Sequence, residues 1–180
     1  MKILGLSGSL RSESTNTRLL EAALALSPPQ LSVEIIGVLG SLPHFSPDVS
    51  IESDRTLGQF VDAVRECNGV LVSSPVYAGG YPGTLKNALD WLVGTDAFIE
   101  KPFMMLSAAN RVPSVQTSLI KVLETMGGIH VHEASALVPL LGKNLAVDEI
   151  IKNQKFADTI ESSLRIFSNQ VRSIRARTNL

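Results

Sequence analysis

Within Gly8–Thr17, GSLRSESTNT, stand Ser9, Arg11, Ser14, Thr15, Asn16 and Thr17, a density of small donors and one cation that suits a phosphate. Short hydroxyl and amide side chains reach a tetrahedral oxyanion at little entropic cost, and the Arg11 guanidinium is a permanently charged planar fork. Upstream, Ile3, Leu4 and Leu6 form an apolar run that reads as a strand buried on both faces. Downstream, an apolar-periodic helix begins at about Arg18. The free amides and the positive dipole end of that helix would face any anion the side chains collect. The stretch reads as a phosphate cradle, with an ordinary helix cap as the alternative, because Ser, Thr and Asn are the commonest N-cap residues.

The second stretch with chemical content is SSPVYAGGYPGTLKNALDWLVG, residues 73–94. Pro75 cannot continue a strand ladder, and Gly79, Gly80 and Gly83 permit close backbone approach and positive φ. The backbone of Pro75, Val76, Tyr77, Ala78, Gly79 and Gly80 would then offer N–H and C=O groups to the edge of a planar heteroaromatic ring. Tyr77 or Tyr81 could cover its rim. Leu85, Leu89 and Leu92 read as core, and Trp91 either packs or faces a neighbouring subunit. Lys86 and Asp90, four apart on a helix, read as a surface ion pair. No paired carboxylates, Ser-His-Asp arrangement or Cys-His couple stands out in either stretch.

The first stretch resembles the phosphate loop of the NADPH-dependent FMN reductase family, roughly G-S-x-R-x-x-S-x-N, at Gly8, Ser9, Arg11, Ser14 and Asn16. The second is similar to that family's S-P-x-Y-x-x-x-x-P-x-x-L-K-N-A-[LI]-D-W at Ser74, Pro75, Tyr77, Pro82, Leu85, Lys86, Asn87, Ala88, Leu89, Asp90 and Trp91. It departs at Val76 and Ala78, where many members carry Glu and Asn. The resemblance implies a flavodoxin-like α/β/α sandwich with a five-stranded parallel sheet in the order 2-1-3-4-5. It also implies non-covalent FMN and NADPH or NADH as donor. The acceptor would be a small molecule: a quinone, azo compound, metal oxyanion or free flavin. Members are commonly homodimers or homotetramers. A third contact would come from the loop after the fourth strand, at Ser107 and Ala108, although the family's G-A-S-P-G turn is replaced there by SAANR. Arg111 in that loop could meet a dinucleotide phosphate or simply be solvated. A flavin would supply the missing reactivity, so no side chain is expected to be an indispensable acid or base. The rival reading is a flavodoxin-type electron carrier that does not itself oxidise NADPH; the near-neutral charge speaks against a strongly charged docking face.

These loops need elements to hold them. Helices are expected over Arg18–Ser27, Asp54–Cys67 (ended by a left-handed turn at Asn68 and Gly69), from a start set up by Pro82 and Thr84 through Leu85, Leu89 and Leu92, and over Ser114–Met126. A long one is expected over Asp148–Arg177. Strands are expected at the Ile3, Leu4 and Leu6 run and over Leu31–Val38, Val70–Ser73, Phe103–Leu106 and Ile129–Glu133, with Ser107–Pro113 as the fourth strand's exit loop. Strand and helix alternate with short links, which means right-handed crossovers and a parallel, doubly wound sheet. Ligands of such sheets sit outside the carboxyl ends of the strands, where both motifs fall.

Length and composition set the bounds. The 180 residues suit one domain, here expected to be a single FMN-binding domain over 1–180, and 44% hydrophobic with 18% charged residues suits a covered parallel sheet. Sixteen basic against seventeen acidic residues, a net charge of −1, leave no footprint for nucleic acid or anionic membrane. The basic run Arg165, Arg172, Arg175 and Arg177 reads as a solvated helix end. The single cysteine, Cys67, rules out an internal disulfide and fits the cytoplasm; it reads as buried packing. His130 and His132 would share a strand face, but no third metal ligand is evident and no metal is expected. The N-terminus is not read as a signal peptide, and no apolar run is long enough for a membrane span.

Overall fold

The computed structural model describes residues 1–112 and 114–178. Its central sheet is built from β1 (Lys2–Ser7), β2 (Ser32–Ile36), β3 (Gly69–Ser73), β4 (Pro102–Ser107), β5 (Ile129–His130) and β6 (Ala136–Leu137). All pairings are parallel, in the order β2-β1-β3-β4-β5, with β6 on β4 beyond β5. This is the flavodoxin-like order that the resemblance implies. The helices α1 (Thr15–Ala25), α2 (Arg55–Glu66), α3 (Gly83–Val93), α4 (Ser114–Thr125), α5 (Val147–Lys152) and α6 (Gln154–Thr178) flank it.

The strands are apolar throughout because both faces are covered, and successive side chains point to opposite sides. Leu4, Leu6, Val70, Val72, Phe103 and Met105 meet α2, α3 and α4. Their neighbours Ile3, Leu71, Met104 and Leu106 meet α1 and α6, where Phe156, Ile160, Leu164, Phe167 and Val171 line one stripe. Cys67 is in the first of these layers, and burial raises its thiol pKa.

Four expectations are corrected. The fifth strand does not run through Glu133: it ends at His130, a 3-10 turn spans His132–Ala134, and pairing with β4 resumes at Ala136. His130 and His132 therefore do not share a strand face; their rings meet edge to face at 5.7 Å. The last helix is broken at Asn153, whose side-chain oxygen accepts from Phe156 N–H (3.3 Å) and restarts the helix as α6. Helix α2 does not end in a left-handed turn at Asn68 and Gly69: Cys67 is already extended, at φ −69° and ψ 156°. Asn68 instead ties β1 to β3, its amide donating to Lys2 O (2.7 Å) and its side-chain oxygen accepting from Lys2 N–H (2.8 Å). Finally, α1 begins at Thr15, three residues before Arg18, with Ser14 as its N-cap. Helix α4 ends at Thr125, one residue before the expected Met126, and Gly127 follows at φ +87°. Pro113, the expected last residue of the β4 exit loop, lies outside the described residues.

Candidate functional site

Strands β1, β3 and β4 each end in a serine, Ser7, Ser73 and Ser107, and all three are buried. The first two are paired in register, so the loops that follow them leave the sheet side by side. Gly8 donates its amide to Ser73 O at 2.9 Å, and a Cβ at Gly8 would lie 2.4 Å from Ser74 Oγ and 2.8 Å from Ser74 Cβ. Glycine is required at position 8 because the two loops touch there.

Beyond Gly8 the first loop is tied down by its own hydroxyl groups. Ser7 and Thr17 hydroxyls are 2.7 Å apart, Ser9 Oγ accepts from Arg11 N–H (3.3 Å), and Ser14 Oγ accepts from Thr17 N–H (3.4 Å). Ser73 Oγ donates to Asn16 Oδ1 at 3.0 Å, joining the start of α1 to β3. The side chains of Asn16 and Thr17 thus hold the loop's shape. The cap is present and leaves room for a cradle, since Ser14 satisfies Thr17 N–H while the amides of Thr15 and Asn16, in the first turn, have no intrahelical partner. The Arg11 guanidinium is exposed and makes no hydrogen bond or ion pair with a described residue. Free amides at a helix start, an unpaired cation beside them and a contact that only glycine allows are what an anion site needs.

The second loop turns back on itself. Tyr77 and Gly80 exchange both backbone hydrogen bonds at 2.8 Å, and the two residues between them, Ala78 and Gly79, have φ of +48° and +79°. Two consecutive positive φ values are the signature of a type I′ turn. Gly80 and Gly83 do not adopt positive φ, so the expectation holds for Gly79 alone among the three glycines, and Ala78 takes up the rest of the turn. Pro75 and Gly80 are half-buried, and Val76, Tyr77, Ala78 and Gly79 are exposed. Tyr77 reaches back to the first loop, its hydroxyl 3.4 Å from Ser9 Oγ. Tyr81 turns the other way, half-buried beside Met105 and Leu119.

Ser107 and Ala108, at the end of β4, are both buried. The Ser107 hydroxyl donates to Gln116 Oε1 on α4, so its proton is spent on holding β4 against α4. Gln116 was not singled out in the sequence; a lone Gln in an amphipathic helix carries no signal there. Ser7 and Ser73 were missed as well, although a serine closing each of three apolar strands, with Ser107 the third, was a usable clue.

The K-N-A-L-D-W part of the second motif does different work. Asn87 Nδ2 and Trp91 Nε1 both donate to Pro43 O, at 2.9 and 2.8 Å, and Phe45 N–H donates to Asn87 Oδ1 at 2.8 Å. Phe45 meets the Trp91 ring edge-on at 5.1 Å. Trp91 packs, and with Asn87 it anchors the β2–α2 loop beside the site. Lys86 and Asp90 form the expected i,i+4 pair. Among the groups whose titration the fold displaces, Cys67 and Lys101 at the amino ends of the strands and His130 at the sheet edge, each shifted chiefly by burial, lie away from these loops. Among the described residues no group of three or more His, Cys, Asp or Glu could hold a metal ion, and no helix is long and apolar enough to cross a membrane.

A doubly wound parallel sheet with a hydroxyl-rich, arginine-bearing loop and an exposed backbone turn side by side at its carboxyl edge is the arrangement in which α/β proteins of this class take their ligands. The comparisons narrow the class. Residues 1–140 match the model of the NADPH-dependent FMN reductase family, and the chain belongs to that family. It is 35% identical over 112 residues to an NAD(P)H-dependent FMN reductase of Pseudomonas aeruginosa, covering 61% of this chain and 60% of that protein. It is 35% identical over 91 residues to a 2-hydroxy-1,4-benzoquinone reductase of a Burkholderia species, covering 51% and 49%. These matches span about half to three fifths of the length of the curated relatives. In backbone shape the chain superposes on the NAD(P)H:(acceptor) oxidoreductase FerB of Paracoccus denitrificans with a TM-score of 0.84. The superposition covers 96% of this chain and 97% of that one at 23% identity.

Proposed function

We propose that this protein is an NAD(P)H-dependent, FMN-containing oxidoreductase that delivers electrons to a small organic acceptor of the quinone type. The observation that carries the reading is the meeting of the two loops, Gly8 against Ser74 and Ser9 against Tyr77, in a chain of the FMN reductase family. The residues fit the cofactor's two ends. Arg11, the amides of Thr15 and Asn16 and the hydroxyls of Ser9, Ser14 and Thr15 take the phosphate, while Asn16 and Thr17 fix the loop that presents them. The backbone of Pro75, Val76, Tyr77, Ala78, Gly79 and Gly80 borders the ring, and Ser107 and Ala108 close its far side. Bound FMN supplies the redox chemistry, taking hydride from the nicotinamide and passing electrons on. The chain's own part is to orient the two partners and exclude water, so no side chain serves as an obligatory acid or base.

Further parts of the reading are that residues 1–180 form one FMN-binding domain, that the protein works in the reducing cytoplasm, and that it assembles as a homodimer or homotetramer. Exposed apolar side chains on the loops around the site, Leu10, Phe45, Val76 and Val112, support assembly. The relatives' names support the donor and the acceptor class: one is named for NAD(P)H and FMN, the other for a benzoquinone.

The test is an anaerobic titration of FMN-loaded protein with NADPH, followed in the visible flavin band, and then addition of a benzoquinone. Bleaching by NADPH and return of the band on quinone addition are expected. FMN that binds but is not bleached would turn the reading to an electron carrier. Protein that retains no FMN would leave the first loop as a helix cap alone.

A further inference from the structure

Arg18, near the start of α1, reaches out of its helix to two other segments. Its Nη2 donates to Glu13 Oε2 at 2.9 Å, and its Nη1 donates to Asn144 Oδ1 at 3.0 Å and to Leu145 O at 3.2 Å. The guanidinium therefore joins the crest of the first loop to the segment between β6 and α5, more than a hundred residues along the chain. An exposed Arg–Glu pair carries little weight by itself. This one differs: the Arg18 side chain is 16% exposed and holds three acceptors, whereas that of Glu13 is 68% exposed. Arg18 is the fixed partner and Glu13 the one it fixes.

The far end of the span is firm. Leu145 and Val147 pack against the core that α1 and α6 share. Lys143 donates its amide to Leu140 O at 3.0 Å and sets its ammonium 4.9 Å from the centre of the Phe156 ring on α6. Asn144 sits at φ +46°, which Asn tolerates better than most residues. The near end has little of its own to hold it. Residues 10–13 are exposed, and Leu10 and Ser12 make no hydrogen bond with a described residue. Leu10 lies over Gly40, where an added Cβ would stand 3.0 Å from its Cδ2, and Glu13 is held by Arg18. Arg11, the unpaired cation of the site, stands between these two tethers.

We propose that Arg18 is a positioning residue for the cofactor. By bracing Glu13 against Asn144 and Leu145, it holds the first loop, and Arg11 with it, in the shape that receives a phosphate before the cofactor arrives. One contact has two effects. A loop already ordered in the free protein has less freedom to lose on binding, so affinity rises. Pairing also removes a hazard: Glu13 is two residues from Arg11, and its free carboxylate would compete for that guanidinium and repel the phosphate. A lysine could neutralise Glu13, but a point charge could not hold three acceptors on two segments as the planar fork does. The inference rests on the FMN reading above and adds a residue that acts only through the loop.

The experiment measures FMN and riboflavin affinity by flavin fluorescence, with amide hydrogen exchange of the flavin-free protein, for Arg18→Gln, Asn144→Gly, Glu13→Ala and E13A/R18Q. Circular dichroism verifies folding. Arg18→Gln is expected to weaken FMN binding roughly tenfold and riboflavin, which has no phosphate, by less than about twofold. Amides of residues 10–14 in that variant should exchange at least about threefold faster than in the parent, while those of α6 stay as protected. Asn144→Gly keeps the backbone conformation and removes one anchor of the brace, so FMN should weaken by about threefold. Because Arg18 acts through Glu13, E13A/R18Q should bind FMN no more weakly than Arg18→Gln alone. Parental FMN affinity in Arg18→Gln, or in Asn144→Gly should the first variant not fold, overturns this inference and leaves the FMN reading intact. Equal losses for FMN and riboflavin, unchanged exchange at residues 10–14, or additive losses in the double variant overturn it equally, since each would mean that Arg18 does not act through this loop. A parent that retains no FMN overturns both.

Discussion

Gly8→Ala probes the contact on which the site is built. The added Cβ would stand 2.4 Å from Ser74 Oγ, 2.8 Å from Ser74 Cβ and 3.1 Å from Ser74 Cα. The hydroxyl can rotate away, but the Cβ is fixed to the backbone, so the two loops must part by several tenths of an ångström. Overpacking of this kind costs about 1–3 kcal/mol. At the middle of that range a domain of this size loses roughly 4–8 °C in Tm. The same displacement separates Ser9 and Arg11 from the 75–80 turn, so FMN affinity should fall at least about tenfold, the equivalent of ~1.4 kcal/mol.

The distances also dictate an order of rescue. Ser74→Ala removes the 2.4 Å contact and leaves the one at 2.8 Å, whereas Ser74→Gly removes both and leaves 3.1 Å to Cα. In a double-mutant cycle, Gly8→Ala should therefore cost most in the parent, less with Ser74→Ala and least with Ser74→Gly. The cycle is measured by urea denaturation of the flavin-free protein, with FMN binding followed by flavin fluorescence in parallel. Equal costs in the three backgrounds, or an unchanged Tm for Gly8→Ala, would refute the claim that the loops meet at this residue.

Other outcomes follow from the same structure. Arg11→Ala removes an exposed guanidinium without described partners, so stability should hold within about 0.5 kcal/mol while FMN dissociates roughly ten- to a hundredfold more readily; fluorescence titration decides, and unchanged affinity sinks the phosphate assignment. Gly58→Ala, inside α2 with open space around the added methyl, should raise stability by about 0.5–1 kcal/mol in urea unfolding, and a loss would mean the helix is strained there. His130 is held neutral by burial, which outweighs the pull of Glu124 and Glu133 toward the charged form and is reinforced by His132. Its Nε2 lies 3.0 Å from Ser135 Oγ, which already accepts from Met105 N–H and so has its own proton to give. Because the folded pKa is below the unfolded one, the contribution to stability is complete above pH ~6.5 and is lost as pH falls from there through the folded value. Urea midpoints at pH 7.5 and 5.0 should differ less for His130→Gln than for the parent, and an equal difference would show that another group titrates.

The sheet was legible because its physics is local. Runs such as GVLVS and PFMML are apolar at every position, which happens when both faces are covered, and alternation with amphipathic helices leaves little choice but a doubly wound parallel sheet. The failures came where a tertiary partner outbid a local habit. Asn68 and Gly69 have the composition of a left-handed helix end, but Asn68 gains two hydrogen bonds with the Lys2 backbone and Gly69 lies against Phe167, closer than any Cβ would allow. IHVHE alternates like a strand, yet only its first two residues stay in the sheet before the 3-10 turn, from which Ser135 binds both His130 and the β4 backbone. The break at Asn153 was missed although the pattern falters there: from Ile150 and Ile151 to Phe156 is six and five residues, neither a helical step.

For the site, the sequence located the loops, and the structure divides the labour among their residues. The Arg11 guanidinium is exposed and the amides of Thr15 and Asn16 have no intrahelical partner, whereas the side chains of Asn16, Thr17 and Ser107 bond to Ser73, Ser7 and Gln116. Such partners sit 57, 10 and 9 residues away along the chain, so no local pattern announces them. The same division runs through the second motif. Its best-matched half, Leu85–Trp91, carries core and the anchor for the 43–45 loop, through Asn87 and Trp91. Its half nearest the ring departs at Val76 and Ala78, both exposed, with Ala78 forced to positive φ where Asn would sit with less strain. The matched residues therefore account for the shape of the loop, and the unmatched ones, on the proposed function, would border the space an acceptor enters. Exchanging Val76 and Ala78 for Glu and Asn should change acceptor preference in kcat/KM while FMN affinity, set by Arg11 and the loop backbone, stays within a few fold. A large loss of FMN instead would mean that these side chains, and not the backbone of the turn, hold the ring.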